Sequence, residues 1–279
     1  MKLKAISSLI AAATVAATSL VRTGYVEADT AYKVIGLTTD NELVTFGSKK
    51  MVRVKGVTGK LQGIDFRPAT GVLYGVTDSD LVYSIDTKTG NATLVSKLTA
   101  SFNGGFQSGF DFNPVVDRLR VVGSNTQNLR TNVVDGVTTV DGALNYNPGT
   151  PATATTPAIP PDVNVGKMPN ITAAAYTNSF LRAATPPTTT MLFGIDYDLN
   201  VLVSQSPPNS GTLNTIGVLS NDFGPIGGFD IFTDAAGNNA GFVASGKTLY
   251  SINLATGATT KLGTLSDTVV GLAVTVKTK

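Results

Sequence analysis

The sequence predicts an all-β protein, a five-bladed β-propeller of four-stranded blades. Three observations support this. Short runs rich in Val, Ile, Thr, Tyr and Phe are separated by Gly, Asn, Asp and Pro, which is typical of strands and turns. No segment beyond the N-terminal leader has a helical period. A pattern of about 50 residues recurs along the chain, which is the size of a propeller blade.

The recurring unit is clearest in segments 61–98 and 226–265. Each contains a Gly-x-Asp strand, a second apolar strand, a Leu-x-Tyr-Ser-Ile strand, a Thr-Gly turn and a last strand. The same order fits segment 107–144, and a weaker copy fits 171–219. These segments predict four complete blades.

The remaining blade is divided between the two ends of the chain. Residues 269–274 match only the first strand of the repeat, and residues 32–57 match only the second to fourth strands. We therefore expect the C-terminal strand to pair with the N-terminal three strands and close the ring, which leaves no exposed edge. The alternatives are six blades with one degenerate copy, or an open β-solenoid.

The first 28 residues have the layout of a signal peptide. Lys2 and Lys4 precede an uncharged run from Ala5 to Val21, and small residues up to Ala28 provide a cleavage site. The run is at or below the minimum length of a membrane span. The sequence thus predicts a signal peptide at 1–28, a single domain at 29–279 with an insert loop at 145–170, no membrane span after processing, and a secreted or periplasmic location.

The composition excludes several chemistries. The chain has no His, Cys or Trp, which removes imidazole-dependent triads, cysteine nucleophiles and the usual zinc sites. Removing residues 1–28 leaves equal numbers of basic and acidic residues. A near-neutral chain disfavours nucleic-acid binding, and we expect a monomer.

The topology assigns each loop to one of two faces. Connections between the second and third strands of a blade share a face with the crossovers between blades, and we call this the crossover face. The first-to-second and third-to-fourth connections lie on the opposite face, which we call the hairpin face. The proline-rich crossover 145–170 is expected to be either a functional flap or a spacer.

Three aspartates occupy equivalent positions on the innermost strands of three blades: Asp65, Asp111 and Asp230. If they face the axis, they converge at the channel mouth, where mutual repulsion raises their pKa values or recruits a cation such as Ca²⁺. The alternative is a structural role, in which each carboxylate accepts backbone N–H groups or pairs with Arg.

The second complete blade carries polar residues where the other blades have mostly apolar or small ones. Guanidinium groups suit carboxylate or phosphate ligands, although a buried Arg also needs an acidic partner such as Asp111 or Asp117. The candidate ligand-binding residues are Asn113, Arg118, Arg120, Asn125, Gln127 and Arg130.

The strings GIDFRPATGVLYGVT, GFDFNPVVDRLRVVGSNTQNLR, AAAYTNS, PPNSGTLNTIG and VVGLAV resemble the bacterial domain of unknown function numbered 4394. The resemblance covers about Val34 to Val276 and is most specific between Phe112 and Arg130. It implies an exported bacterial protein. It implies no established activity and transfers no catalytic residue.

These observations favour a noncatalytic binding protein whose ligand is a glycan, a small molecule or a cation at the crossover face. The alternative is a carbohydrate-active hydrolase or lyase that uses two of the axial aspartates as acid and base or nucleophile. A third possible class is a structural matrix protein, which would be expected to self-assemble and to bind no small ligand.

Overall fold

The computed structural model describes residues 32–277, and these residues form β-strands joined by turns and loops. The first strands are β1 (Tyr32–Thr38), β2 (Glu42–Thr45), β3 (Met51–Arg53), β4 (Leu61–Arg67), β5 (Val72–Thr77), β6 (Leu81–Ile85) and β7 (Ala92–Lys97). They are followed by β8 (Ser108–Asn113), β9 (Arg118–Gly123), β10 (Asn128–Thr131), β11 (Thr138–Val140), β12 (Asn145–Tyr146), β13 (Ile171–Tyr176), β14 (Leu192–Asp196) and β15 (Val201–Gln205). The last are β16 (Thr212–Val218), β17 (Gly227–Thr233), β18 (Asn239–Ser245), β19 (Thr248–Ile252), β20 (Thr259–Thr264) and β21 (Val269–Val276), and a 3₁₀ turn covers Pro208–Ser210.

The strands form the five sheets of a five-bladed propeller. In order from the axis outwards, blade 1 is β21-β1-β2-β3, blade 2 is β4 to β7 and blade 3 is β8 to β11. Blade 4 is β13 to β16 with β12 at its outer edge, and blade 5 is β17 to β20. The predicted five-bladed architecture is therefore confirmed.

The two ends of the chain share blade 1, as the split repeat predicted. Strand β21 pairs antiparallel with β1 along most of its length, with Ala273 opposite Ile35 and Val274 opposite Val34. The innermost strands β21, β4, β8, β13 and β17 each pack against two others and form a closed ring. Closure leaves no inner strand without neighbours on both sides.

Glycine allows the inner strands to approach each other closely at the axis. A Cβ atom on Gly63 would lie 2.0 Å from the Phe110 ring, and one on Gly109 would lie 2.5 Å from the Ala174 nitrogen. Any larger residue at these positions would push neighbouring blades apart. The Gly-x-Asp motif therefore combines a close backbone contact with an axial carboxylate two residues later.

The hydrophobic core lies between neighbouring blades. Between blades 1 and 2, for example, Ile35 and Leu37 pack with Ile64 and Leu73. Burial of each such side chain stabilises the folded state by about 1.5–3 kcal/mol. Because both faces of a blade are covered, several strands are continuously apolar, as in the fully buried β13.

The insert 145–170 lies along the outer edge of blade 4. Strand β12 pairs in parallel with β16, and the Asp162 carboxylate accepts hydrogen bonds from the Thr215 amide and hydroxyl. The segment thus covers an edge strand that would otherwise expose unpaired backbone groups.

The predicted leader, residues 1–28, lies outside the described residues. Within residues 32–277, no helix has the length and apolar character needed to cross a membrane.

Candidate functional site

The three aspartates that occupy equivalent positions of the repeat converge in the interior of the ring. One carboxylate oxygen from each of Asp65, Asp111 and Asp230 lies within 4.8 Å of the others. The residues are only 5%, 1% and 4% exposed. The expectation that they lie at an open channel mouth is therefore wrong, because all three residues are buried.

Side chains and a loop close both ends of the axis. At the crossover face, Gln107 Nε2 donates to the carbonyl oxygens of Gly227 (2.8 Å) and Val270 (2.7 Å), on the inner strands of blades 5 and 1. Between the inner strands there is a cavity of only about 10 Å³, roughly the size of one water molecule.

The loop 177–191 crosses the hairpin-face end of the ring. It starts in blade 4, where the Asn178 backbone N–H donates to the side-chain oxygen of Asn239 in blade 5. Farther along, the Arg182 backbone N–H donates to the Pro68 carbonyl of blade 2 at 2.7 Å. The sequence did not indicate this cap, because the loop carries no strand pattern and the contacts that hold it across the ring, to blades 5 and 2, are long-range.

Asp65 and Asp230 accept backbone hydrogen bonds in the same way. The Asp65 carboxylate accepts the amide of the following residue, Phe66, at 2.6 Å and the Phe112 amide of the next blade at 2.8 Å. Asp230 accepts the Ile231 and Val274 amides in the same arrangement. Inner strands have no strand partner on their axial edge, so these carboxylates satisfy amides that would otherwise be unpaired.

Asp111 differs from the other two aspartates. The Tyr176 backbone amide and the Asp230 carboxyl group lie near its carboxylate, but neither Asp111 oxygen makes a hydrogen bond with normal distance and angles to any described residue. A buried carboxylate without hydrogen bonds is costly. Burial, together with the charges of Asp65 and Asp230, raises the pKa of Asp111 well above its usual range.

The other two carboxyl groups are perturbed in the same direction. The pKa of Asp65 is raised well above its ordinary value, mainly by burial and to a smaller extent by the charge of Asp230. Hydrogen bonds from the Phe112 and Phe66 amides oppose this shift. Burial raises the pKa of Asp230 to about 7, against the opposing effect of the Val274 and Ile231 amides. Three ionised carboxylates are therefore strongly disfavoured here without a compensating positive charge.

A second cluster of charged residues lies at the hairpin face, between blades 3 and 4. It surrounds a pocket of about 390 Å³, within the size range of small-molecule sites. Its lining residues are Asn113, Val116, Arg118, Arg120, Arg130, Tyr176, Pro208 and Asn209.

Four of the six predicted ligand-binding residues line this pocket. Its position differs from the prediction, which placed the ligand site at the crossover face. Arg118 follows the β8–β9 connection and Asn209 belongs to the β15–β16 connection, and both connections are on the hairpin face.

The other two predicted residues, Asn125 and Gln127, lie at the crossover face and contact a neighbouring loop. The Gln127 side-chain oxygen accepts the amides of Asn103 and Gly104 at 3.0 Å each. The Asn125 side-chain NH₂ group donates to the Asn103 side-chain oxygen at 2.6 Å. Both residues therefore hold the crossover between blades 2 and 3.

Arg120 forms the inner wall of the pocket and has several polar partners. It is 3% exposed, and it donates at 2.7 Å each to Asp141, Asn128 and Asn209. Its Nε also donates weakly to the Tyr176 hydroxyl, at 3.4 Å. The expected pairing of Arg120 with Asp111 or Asp117 is wrong, since its acidic partner is Asp141, which the repeat pattern did not identify.

Arg118 and Arg130 leave donors directed toward the pocket. Arg130 uses only Nε to contact Asp141, at 3.0 and 3.1 Å, and its side chain is 39% exposed. Arg118 uses one terminal nitrogen to donate to the Val116 and Asp117 carbonyls. The remaining guanidinium nitrogens have no partner among the described residues.

Asp117 does not neutralise this cluster. Its carboxylate forms a two-point ion pair with Arg67 of blade 2. That bond raises the pKa of Arg67, so the guanidinium remains charged. The pocket therefore has three arginines and one carboxylate partner, Asp141.

A family model described as Domain of unknown function (DUF4394) matches residues 37–273. The chain belongs to this family, as its motifs predicted. No curated protein matches the chain.

Similar solved structures come from Bacteroides species. Two are auxiliary nutrient binding proteins, from Bacteroides ovatus ATCC 8483 (12% identity, TM-score 0.44) and from Bacteroides thetaiotaomicron VPI-5482 (14%, 0.40). Each match covers 76% of this chain, and it covers 56% and 54% of those chains. The chain thus spans little more than half of their length. A protein of unknown function from Bacteroides caccae is 11% identical, with a TM-score of 0.39 and coverage of 81% and 70%.

Proposed function

We propose that this protein is a noncatalytic binding protein that takes a small carboxylate-bearing ligand, such as an acidic sugar, in the pocket lined by Arg118, Arg120 and Arg130, which we call the arginine pocket. One observation carries this proposal: Arg118 and Arg130 direct unpartnered guanidinium nitrogens toward a pocket of about 390 Å³. Guanidinium groups present paired donors that match the two oxygens of a carboxylate.

The electrostatics of the pocket favour an anion. Arg120 and Arg130 share the Asp141 carboxylate, and Arg118 has no ion pair among the described residues. An anionic ligand supplies the missing negative charge. Hydrogen bonds to charged groups contribute about 1.5–3 kcal/mol each.

The other lining residues suit a hydroxylated ligand with an apolar face. The Asn113 and Asn209 side-chain NH₂ groups offer donors for hydroxyl groups. Tyr176, Val116 and Pro208 add apolar surface. This combination of a few polar groups with apolar walls is typical of small-ligand sites.

The geometry does not favour the alternative of a glycoside hydrolase or lyase. That chemistry requires two carboxyl groups beside the scissile bond, and the lining of the arginine pocket contains no Asp or Glu. The axial aspartates are buried beneath Gln107 and the loop 177–191, where a glycan has no access.

We also propose that the protein acts outside the cytoplasm as a monomer. The charged start and the apolar run before Ala28 support export. The ligand would then be a component of the cell envelope or of the surrounding medium.

The proposal is tested by calorimetric titration with D-galacturonate and D-glucuronate, with galactose and glucose as uncharged counterparts. We expect at least one acid to bind, at least tenfold more tightly than its neutral counterpart, because only the acid pairs with the guanidinium groups. Added salt should weaken the binding.

The matched variants are Arg118→Gln/Arg130→Gln in the pocket and Arg53→Gln on the surface, where the Arg53 side chain is 70% exposed. The double variant should lose at least tenfold in affinity, and the Arg53 variant should bind normally. Equal affinity for acid and neutral sugar, or unchanged binding by the double variant, would refute the proposal.

A further inference from the structure

We infer that the axial cluster of Asp65, Asp111 and Asp230 binds a Ca²⁺-type cation that joins blades 2, 3 and 5 at the centre of the ring. The inference is independent of the proposed ligand pocket. It rests on the geometry of the three carboxylates, on the charge they bury and on the environment of Asp111.

The carboxylates are placed as ligands of one ion. One oxygen from each lies within 4.8 Å of the others. Oxygen ligands lie 2.3–2.6 Å from Ca²⁺, so opposite ligands are about 4.6–5.2 Å apart. The three oxygens therefore fit within one coordination sphere without rearrangement of the backbone.

The cluster lacks a protein counter-charge. None of the ion pairs among residues 32–277 includes Asp65, Asp111 or Asp230. Arg120, the cross-strand neighbour of Asp111, donates to Asp141 instead. Because buried charges are normally paired or bound to metal, this arrangement indicates an external cation.

Asp111 provides the second, independent indication. It is 1% exposed, and both of its oxygens lack a normal hydrogen bond to any described residue, whereas Asp65 and Asp230 each accept two backbone amides. A structural role in satisfying amides explains Asp65 and Asp230 but does not explain Asp111. Coordination of a cation would satisfy the Asp111 oxygens.

The ligand set favours Ca²⁺ over Mg²⁺ and transition metals. All three side chains are carboxylates, the hard oxygen ligands that Ca²⁺ accepts in irregular, mono- or bidentate geometry. Mg²⁺ demands near-ideal octahedral geometry and usually retains several water molecules, whereas these carboxylates are fixed on three different inner strands. No imidazole or thiolate ligand is available, because the chain has no His or Cys.

The test measures bound metal and thermal stability together. Protein purified without chelator is assayed for metal by mass spectrometry, then unfolded in guanidinium chloride with EDTA and refolded with Ca²⁺, with Mg²⁺ or with EGTA. We expect one Ca²⁺ per chain and a Tm in Ca²⁺ about 5–10 °C above that in EGTA, if Ca²⁺ is present at about a hundredfold its Kd.

Two isosteric variants provide the controls. Asp111→Asn removes a ligand at the one aspartate of the cluster that accepts no backbone amide with normal distance and angles, so it should fold in EGTA and lose the Ca²⁺-dependent rise in Tm. Asp40→Asn, at an exposed position on the crossover face, should retain that rise.

Three results would overturn the inference. The first is protein without bound metal and with equal Tm in Ca²⁺ and EGTA, a measurement that needs no variant. The second is an Asp111→Asn protein with a higher Tm than the parent in both buffers, which would show that the cluster holds protons instead of a cation. The third is equal stabilisation by Mg²⁺, which would refute the choice of a Ca²⁺-type ion.

Discussion

The axial cluster and the arginine pocket both include charged side chains of blade 3, but they are built differently. The aspartates occur at one position of the repeat in three blades, and they face one another within 4.8 Å at the sealed centre of the ring. The pocket arginines occur in one blade only and line an open pocket between blades 3 and 4. In this ring, the repeated carboxylates connect blades, whereas Arg118 and Arg130, which have no equivalents in other blades, face the pocket.

The difference extends to individual contacts. Asp65 and Asp230 bond to amides of a neighbouring inner strand, which is a contact that any blade can use. Arg118 and Arg130 retain guanidinium nitrogens without partners among the described residues. The amide-bonded carboxylates have no donors to offer an anion, whereas guanidinium groups with free donors can bind one.

The largest effect should follow removal of the strand that completes the axis. Deleting residues 268–279 removes β21, which buries Val269, Leu272 and Val274 and donates the Val274 amide to Asp230. Burial of each aliphatic side chain stabilises the fold by about 1.5–3 kcal/mol, and the total free energy of unfolding of a typical protein is only about 5–15 kcal/mol. We expect the truncated chain to lose its cooperative urea transition.

Removing only residues 278 and 279 leaves β21 whole and serves as the control for this truncation. A chain without β21 that unfolds at the parent's urea midpoint would show that the axis does not depend on ring closure.

A smaller effect separates the structural arginine from the ligand-facing ones. Arg120→Met leaves the Asp141 carboxylate, whose side chain is only 5% exposed, with Arg130 as its sole remaining ion-pair partner. Breaking a buried pair costs about 3–5 kcal/mol, and we expect about 3 kcal/mol here because Arg130 remains. Urea unfolding measures this loss.

Arg53→Met is the matched control, since the Arg53 ion pair is exposed and long, at 3.8 Å. We expect it to change the free energy of unfolding by less than about 0.5 kcal/mol. Equal stability of the two variants would contradict a structural role for Arg120.

The sequence predicted most of the fold because the repeat is local. The Gly-x-Asp strand and the Thr-Gly turn mark each blade, and the incomplete copies at the two ends predicted the shared blade 1. The equivalence of Asp65, Asp111 and Asp230 also predicted their convergence, since equivalent positions of a closed ring face one axis.

The environment of the sites was less predictable, because it depends on contacts between distant segments. Gln107 reaches the inner strands of blades 5 and 1, and the loop 177–191 reaches blade 2 through Arg182. No local pattern indicates either contact. Strand alternation placed Arg118 and Arg120 on one face of β9, but only the three-dimensional structure shows that Arg120 pairs with Asp141.

The most direct test of this division of roles is one titration of the tighter-binding uronate into two variants side by side. We expect Asp111→Asn to bind the acid with the parent's affinity, because the axis is sealed from the pocket, and Arg118→Gln/Arg130→Gln to bind at least tenfold more weakly while melting within a few degrees of the parent. If instead the axial variant loses affinity and the arginine variant retains it, the assignment of structure to the axis and binding to the pocket is wrong.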